Sequence, residues 1–384
     1  MIKIKTLNKI SNVGLEKFTN NYAISNEEEN PDGILVRSEA MHEMAFNKEL
    51  LAIARAGAGV NNIPVDRCSK EGIVVFNTPG ANANGVKELV ICGLMLASRD
   101  IIDGSMWINT LKGDIAPLVE KGKNKFAGSE IKGKTLGIIG LGAIGGMVAN
   151  TAIHLDMDVI GYDPFISVEN AWKLNHHIRH ASGNDEIYKV SDYITLHIPY
   201  TQDTKGIINK ETISHMKDGV KILNFSRAEL VDFSDLKEAL DSGKVSRYVT
   251  DFPTNEIVGY KGVVTIPHLG ASTLESEDNC AIMAALELMD YIENGNIKNS
   301  VNFPSVSSPR AGDFRLCILN DNIPDVISSV TKVLSSIGLN IENLSNKSKG
   351  NYAYTILDVS GRMNKEKLDE IKKIKGVIRL RLIH

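Results

Sequence analysis

The stretch LGIIGLGAIGGMVAN, residues 136–150, constrains the fold of this chain more than any other segment. A short apolar run leads into the pattern G-x-G-x-x-G at Gly140, Gly142 and Gly145, and small residues follow it. This order predicts a buried strand, a tight turn and a helix that packs close to the strand. Glycines at such a turn can also be required for steric reasons alone, so the turn by itself leaves open whether it binds a phosphate.

The next predicted strand, 158–163, bears on this question because it ends in Asp163, 18 residues after Gly145. A carboxylate there accepts hydrogen bonds from the ribose diol of adenosine, and its charge repels a 2′-phosphate. The alternative to a ribose-binding role is that Asp163 is simply a turn residue before Pro164. The turn and the acid together favour NAD over NADP, with the pyrophosphate at the free N–H groups where the helix begins.

Six apolar runs with helical segments between them predict a doubly wound parallel sheet. They span 135–139, 158–163, 192–199, 220–226, 248–252 and 262–268.

Three apolar runs nearer the N-terminus, 33–38, 50–57 and 72–80, predict a second parallel α/β sheet. Helices are predicted over 83–100 and 275–295.

The last part of the chain differs in pattern from everything before it. Residues 301–313 belong to a Ser- and Pro-rich stretch that predicts a linker. Residues 314–384 then alternate in the order strand, helix, strand, strand, helix, strand, with the second helix predicted over 364–376. This βαββαβ order predicts a small ferredoxin-like unit.

Charge and composition argue against several classes of protein. A net charge of −4 gives no general basic field to attract nucleic acid. No run approaches the ~20 apolar residues of a membrane span, and the start MIKIKTLNKI lacks the apolar centre of a signal peptide. The four cysteines are scattered without paired spacing, which predicts free thiols in a reducing compartment and no metal site. We therefore expect a cytoplasmic protein without nucleic-acid or membrane partners.

Three polar residues follow the last strands of the doubly wound sheet. Arg227 follows 220–226, Glu256 lies in the loop after 248–252, and His268 ends 262–268. Taken singly, each has a plain alternative: a solvated Arg, a loop carboxylate or a structural His. Together at one sheet edge they suit the oxidation of a 2-hydroxyacid, because Arg binds a carboxylate, His accepts a hydroxyl proton and Glu orients the His.

Four motifs, GLGAIG, NFSRAELVD, TDFPTNE and PHLGAST, resemble those of the D-2-hydroxyacid dehydrogenases in order and spacing. The resemblance covers about residues 30–295. It implies a Rossmann NAD-binding domain, residues 99–268, inserted into a flavodoxin-like substrate-binding domain made of 1–98 and 269–300. The linker 301–313 and the ferredoxin-like unit 314–384 follow.

The resemblance also implies the roles of single residues. Arg227 binds and polarises the substrate, His268 is the acid/base and Glu256 tunes it, while Asp251 contacts the nicotinamide amide. The implied cofactor-binding residues are Gly140, Gly142, Ala143, Ile144, Gly145, Asp163, His197, Pro199, Phe225, Ser226, Asp251, His268, Gly270 and Ala271.

The tail, 314–384, resembles an ACT domain, an amino-acid-sensing module. With this tail, the resemblance implies oxidation of 3-phospho-D-glycerate, the first step of the phosphorylated route to serine. Arg37 matches the position that binds the substrate phosphate, and Arg55 and Lys125 are further candidate cations. The backbone N–H groups of Ala58 and Gly59 are candidates for binding the substrate carboxylate.

Several alternatives stay open. A related reductase would act on glyoxylate, hydroxypyruvate or D-lactate, and an NAD-sensing scaffold would need no catalysis. In the tail, Asn320, Asn322 and Asn340 match the family's effector site, but Asn320 replaces a His and Asp325 replaces a Gly. The tail therefore either senses L-serine or only assembles subunits, and the resemblance implies a dimer through the cofactor domain or a tetramer through the tail.

Overall fold

The structure is a computed structural model that describes residues 1–362 and 365–384. The chain forms two compact units. The first contains Met1–Ala81 and Glu277–His384, and the second contains Asn82–Ser276. In the described residues, no helix combines the length and the apolar character needed to cross a membrane.

The first unit contains a five-stranded parallel sheet in the order β2-β1-β3-β4-β5, a flavodoxin-like arrangement. Its elements are β1 (Ile2–Leu7), α1 (Asn12–Leu15), β2 (Tyr22–Ser25), β3 (Gly33–Val36), β4 (Ala52–Arg55), α2 (Val65–Lys70) and β5 (Val74–Phe76). The sequence predicted the last three strands but not β1 and β2. In β1, lysines alternate with apolar residues and only Ile4 is fully buried, so the apolar signal is weak.

The second unit contains a seven-stranded parallel sheet in the order β12-β11-β10-β9-β6-β7-β8. Its helices are α3 (Ala83–Ser98), α4 (Ile101–Ile108), α5 (Ile115–Gly122), α6 (Ala143–His154), α7 (Val168–Trp172), α8 (Asn184–Val190), α9 (Lys210–Ser214) and α10 (Phe233–Ser242). Its strands are β6 (Thr135–Ile139), β7 (Asp158–Tyr162), β8 (Arg179–His180), β9 (Tyr193–Leu196), β10 (Val220–Asn224), β11 (Val245–Thr250) and β12 (Val263–Thr265).

This order confirms the predicted doubly wound sheet, because the chain runs outward from β6 in both directions. The carboxyl ends of β10, β11 and β12 are neighbours, so the loops after them lie at the same edge of the sheet. Most strands end one to three residues before the predicted limits because their last predicted residues lie in the loops that carry the site.

A long helix and a third sheet, which is antiparallel, make up the last part of the chain. They are α11 (Leu274–Asn294), β13 (Phe314–Asp321), α12 (Val326–Ser336), β14 (Asn340–Lys349), β15 (Tyr352–Ser360), α13 (Lys365–Ile371) and β16 (Val377–Ile383). The order β14-β15-β13-β16 is the expected ferredoxin-like arrangement. The predicted start of the second helix, Asn364, lies outside the described residues.

The C-terminal sheet shares an apolar core with the rest of the first unit. Phe76 of β5, Tyr291 of α11 and Tyr354 of β15 belong to the same buried cluster. Arg381 of β16 donates to the carbonyl oxygens of Tyr291 and Ile292 at 3.1 and 2.7 Å, and its guanidinium lies 4.6 Å from the ring centre of Tyr291. The antiparallel sheet is therefore fused to the first unit, while the domain limits inferred from the sequence stay predictions.

Candidate active site

The glycine turn lies between β6 and α6, and each glycine has its own reason to be there. Gly140 has a φ of 93°, and a Cβ on it would lie 2.5 Å from the carbonyl oxygen of His197. A Cβ on Gly145 would overlap the carbonyl oxygen of Gly140. Gly142, the residue before α6, faces open space. The turn thus offers the beginning of a helix to a ligand, which fits a pyrophosphate.

Asp163 follows β7 and is bonded to this turn. One carboxylate oxygen accepts the N–H of Leu141 at 2.9 Å, and the other accepts the N–H of Phe165 at 2.9 Å. The aspartate therefore stabilises the glycine turn and the chain reversal after it. Its contact with a ribose stays a prediction.

His197 and Pro199 follow β9. The Nε2 of His197 lies 3.0 Å from the hydroxyl of Thr195, while its Nδ1 is buried without a partner in the described residues. Burial lowers the pKa of His197 to about 3, so the ring is neutral at physiological pH. Pro199 is exposed beside it.

Two of the predicted cofactor residues have side chains turned away from solvent. The ring of Phe225 is buried next to Gly93 of α3, and the hydroxyl of Ser226 donates to the carbonyl of Leu196 at 2.7 Å. The groups of Phe225 and Ser226 that can contact a cofactor are therefore their backbone N–H and carbonyl groups.

Arg227 follows β10 with its guanidinium exposed. Its backbone is fixed by Asn224, whose Nδ2 donates to the Arg227 carbonyl at 2.7 Å. Its own Nη1 donates to the carbonyl of Ser226 at 2.6 Å. The remaining guanidinium donors are available for a planar anion such as a carboxylate.

Asp251 is a buried carboxylate at the end of β11, and its Oδ1 has no partner among the described residues. Burial raises the pKa of Asp251, and the charges of His268 and Arg227 lower it. Arg227 and His268 thus lie near enough to Asp251 for their charges to act on its carboxylate. A buried acceptor without a donor at this edge fits the amide of a nicotinamide.

His268 is exposed after β12 and lies beside Phe252, with 4.7 Å between the ring centres. Glu256, also exposed, lines a cavity of about 490 Å³ together with Phe252, Tyr248 and Ala228. No hydrogen bond or ion pair joins Glu256 to His268 in the described part of the chain, so the expected bond is not formed in this conformation. Gly270 is close to Asp251 and buried, and Ala271 follows it.

The first unit carries the other predicted substrate residues except Lys125. Arg37 follows β3 and forms an ion pair with Glu277, while Arg55 ends β4 and donates from Nε to the amide oxygen of Asn62 at 3.1 Å. Neither Glu277 nor Asn62 was singled out in the sequence, because no local pattern marks them.

Residues 57–59 form a turn beside Arg55. Asn77 donates from Nδ2 to the Ala58 carbonyl at 2.6 Å, and the N–H of Thr78 donates to the Gly57 carbonyl at 3.1 Å. Within the described residues, the N–H groups of Ala58 and Gly59 donate no hydrogen bond, so they are free for an anion. Lys125 is exposed in the second unit and forms no ion pair or hydrogen bond there within residues 1–362 and 365–384.

Fold and site together define a Rossmann-type dinucleotide-binding domain with Arg, Glu and His at the carboxyl edge of its sheet. Residues 92–283 match the family described as "D-isomer specific 2-hydroxyacid dehydrogenase, NAD binding domain". The chain therefore belongs to the D-isomer specific 2-hydroxyacid dehydrogenase family, and its cofactor is NAD.

Relatives of known name agree with this assignment. The chain is 32% identical to a D-3-phosphoglycerate dehydrogenase of Bacillus subtilis over 80% of this chain and 60% of that protein. It is 32% identical to the Escherichia coli D-3-phosphoglycerate dehydrogenase over 88% of this chain and 82% of that protein. The chain thus spans about three-fifths of the length of the Bacillus relative.

A solved structure resembles the fold. The NAD⁺-bound 3-phosphoglycerate dehydrogenase of Entamoeba histolytica aligns with a TM-score of 0.59 and 29% identity, covering 78% of this chain and 98% of that one.

Proposed function

We propose that this protein oxidises 3-phospho-D-glycerate to 3-phosphohydroxypyruvate with NAD, as the first step of a phosphorylated route to serine. The observation that carries the proposal is the set of groups in the first unit: Arg37 and Arg55, with the N–H groups of Ala58 and Gly59, which donate no hydrogen bond within the described residues. These groups suit a small acid with two anionic groups, a carboxylate and a phosphate. The names of the relatives support the same substrate.

The residues at the carboxyl edge of the seven-stranded sheet supply the chemistry. His268 accepts the proton of the substrate hydroxyl, and Arg227 binds the carboxylate and polarises the developing carbonyl. Glu256 orients His268 once the loop after β11 moves toward it. NAD, when bound at the glycine turn, accepts the hydride.

A reductase for glyoxylate, hydroxypyruvate or D-lactate is the second candidate. Such substrates carry a single anionic group and leave one of Arg37 and Arg55 without a role. A non-enzymatic scaffold that senses NAD is a third candidate, and it would bind NAD without turnover.

One absorbance assay separates the three. NADH formation is measured with 3-phosphoglycerate, D-glycerate and D-lactate at equal concentrations. We expect 3-phosphoglycerate to give the highest kcat/KM by ~10- to 100-fold, since hydrogen bonds to a charged group are worth about 1.5–3 kcal/mol. Preference for an uncharged C3 group would favour the reductase, and no turnover of any substrate would favour the scaffold.

We also propose that the protein works in the cytoplasm and self-associates, with the C-terminal sheet acting as an ACT-type module. The ferredoxin-like strand order supports this module. Light scattering of the purified protein tests self-association.

A further inference from the structure

Arg37 is already occupied by a carboxylate of its own unit. Its Nη2 lies 2.6 Å from Oε1 of Glu277, near the start of α11. Within residues 1–362 and 365–384, this is the only hydrogen bond or ion pair that Arg37 makes. The side chains are 41% and 38% exposed, so a solute can reach both partners of the pair.

The neighbouring guanidinium, Arg55, has no such carboxylate in the described residues. Its Nε donates to Asn62, and its Nη1 lies against Gly57 of the turn 57–59. Burial lowers the pKa of Arg55, and the positive charge of Arg37 adds to that effect.

Arg37, Arg55 and Glu277 form one charge cluster, in which Arg37 is ion-paired with Glu277 and its charge also acts on Arg55. Two guanidiniums and one carboxylate leave a single net positive charge. A phosphate monoester brings between one and a half and two negative charges, roughly, at neutral pH. The charge of the cluster can therefore balance a monoanion. When a phosphate dianion binds, the cluster and the ligand together carry excess negative charge as long as the Glu277 carboxylate stays in place.

We propose that Glu277 is a specificity-determining residue that competes with the anionic end of a substrate for Arg37. The inference rests on the proposed function and deepens it. A phosphorylated substrate has to displace the Glu277 carboxylate or bind against its repulsion. A substrate with a neutral group at the same carbon leaves the pair between Arg37 and Glu277 intact.

Two effects of Glu277 oppose each other. The carboxylate orients Arg37, which favours binding of an anion, and it repels that anion. Orientation by an exposed ion pair contributes little, because such pairs are weak and screened. Repulsion grows with the charge of the ligand and acts over the few ångströms between two anions that share one guanidinium. Repulsion therefore outweighs orientation for a phosphate group.

The test compares the wild-type protein with Glu277→Gln at saturating NAD. We expect the KM for 3-phosphoglycerate to fall about 3- to 10-fold, with kcat within about twofold, since only binding of the charged group changes. The KM for D-glycerate, which lacks the phosphate, should not change. The matched control is Glu275→Gln, an exposed glutamate of the same helix with no hydrogen bond or ion pair in the described residues, and it should behave as wild type.

Three results overturn the inference: an unchanged KM for 3-phosphoglycerate, a higher KM, or an equal change for both substrates. A wild-type protein that turns over neither substrate would instead refute the proposed function. Calorimetric titration with inorganic phosphate then decides the inference alone. Glu277→Gln should bind phosphate about 3- to 10-fold more tightly than wild type, and Arg37→Gln more weakly. Equal affinity of wild type and Glu277→Gln would refute the competition.

Discussion

The proposed chemistry depends most on Arg227. Because its side chain is exposed, we expect that it can be substituted without unfolding the protein. The guanidinium is exposed, and among the described residues its only hydrogen bond runs from Nη1 to the Ser226 carbonyl. Arg227→Lys keeps the charge but loses the planar fork that matches a carboxylate. We expect kcat/KM for 3-phosphoglycerate to fall by at least ~100-fold, or about 2.7 kcal/mol of transition-state stabilisation.

Binding of NAD, measured by fluorescence titration, should stay intact in Arg227→Lys. Arg310→Lys, at an exposed arginine with no bond or ion pair in the described residues, is the matched control and should keep full activity. Near wild-type turnover in Arg227→Lys would remove Arg227 from the site.

The role of Asp163 in cofactor choice is best tested with a conservative substitution. Both carboxylate oxygens accept backbone N–H groups, from Leu141 and Phe165, so Asp163→Ala would also loosen the glycine turn. Asp163→Asn keeps the size and one acceptor but removes the charge that repels a 2′-phosphate. We expect the ratio of kcat/KM with NAD to that with NADP to fall at least ~10-fold, or about 1.4 kcal/mol. A ratio that does not change, or a wild type that already prefers NADP, contradicts this role of Asp163.

At the scale of elements, α11 contains a buried acid that the proposed chemistry does not use. Glu287 accepts a hydrogen bond from Asn299 at 2.5 Å through Oε1, and its Oε2 has no partner in the described residues. Burial raises the pKa of Glu287 from 4.5 to about 8, while the bond from Asn299 and the charge of Lys298 act in the other direction. Between pH 4.5 and 8, the folded protein therefore keeps a proton on Glu287 that the unfolded chain has already released.

The sign of the pH effect follows from this difference. The contribution of protonated Glu287 to stability is complete below pH 4.5 and is lost as the pH rises toward 8. Glu287→Gln mimics the protonated form at every pH. We expect the Tm of this variant minus that of wild type to increase from pH 5 to pH 8, as read by circular dichroism. A difference that stays constant over this range would mean that Glu287 does not titrate there.

The elements also show what the sequence could predict. The strands β6 and β10 are uninterrupted apolar runs, so their positions were predicted to within two residues. The sequence does not predict the strand β1, because its lysines break the apolar pattern. The ion pair between Arg37 and Glu277 joins residues 240 positions apart, and no local pattern can indicate such a contact. The proposed catalytic residues can be placed from the sequence because they follow strands, whereas their side-chain partners depend on how the loops fold.

At the scale of the whole molecule, the C-terminal sheet followed the predicted strand order, yet it shares its core with the first unit. The sequence could not show this, because an apolar face on a strand does not reveal which surface covers it. The turn before α12 contains Asp325, where the resemblance implies a glycine. Asp325 has a φ of 68°, the left-handed conformation that the family's glycine would supply, so the backbone of the turn forms in spite of the Cβ. The strain of that conformation is about 1–2 kcal/mol.

The amides of the C-terminal sheet argue against strong inhibition by L-serine. The Nδ2 donors of Asn320, Asn322 and Asn340 already bond within the chain, to Asp321 O at 2.7 Å, Gly350 O at 3.1 Å and Glu342 Oε1 at 2.8 Å. An amino acid would have to break these bonds, and the charge of Asp325 would repel its carboxylate. The buried Oδ1 of Asn320, without a partner in the described residues, is the one feature that favours a ligand, since it could accept an ammonium N–H.

We therefore expect L-serine to inhibit weakly or not at all, so that the C-terminal sheet mainly assembles subunits. The measurement is the initial rate with 3-phosphoglycerate across micromolar to millimolar L-serine, for wild type, Asn340→Ala and Asp325→Gly. Since Asp325 already has a left-handed backbone conformation, Asp325→Gly should keep the path of the turn while it removes the side chain and its charge. Asp325→Asn, which keeps the side-chain size and tolerates the same conformation, separates the charge from the Cβ. Inhibition of the wild type at micromolar serine that disappears in Asn340→Ala would show that the sheet binds the amino acid after all.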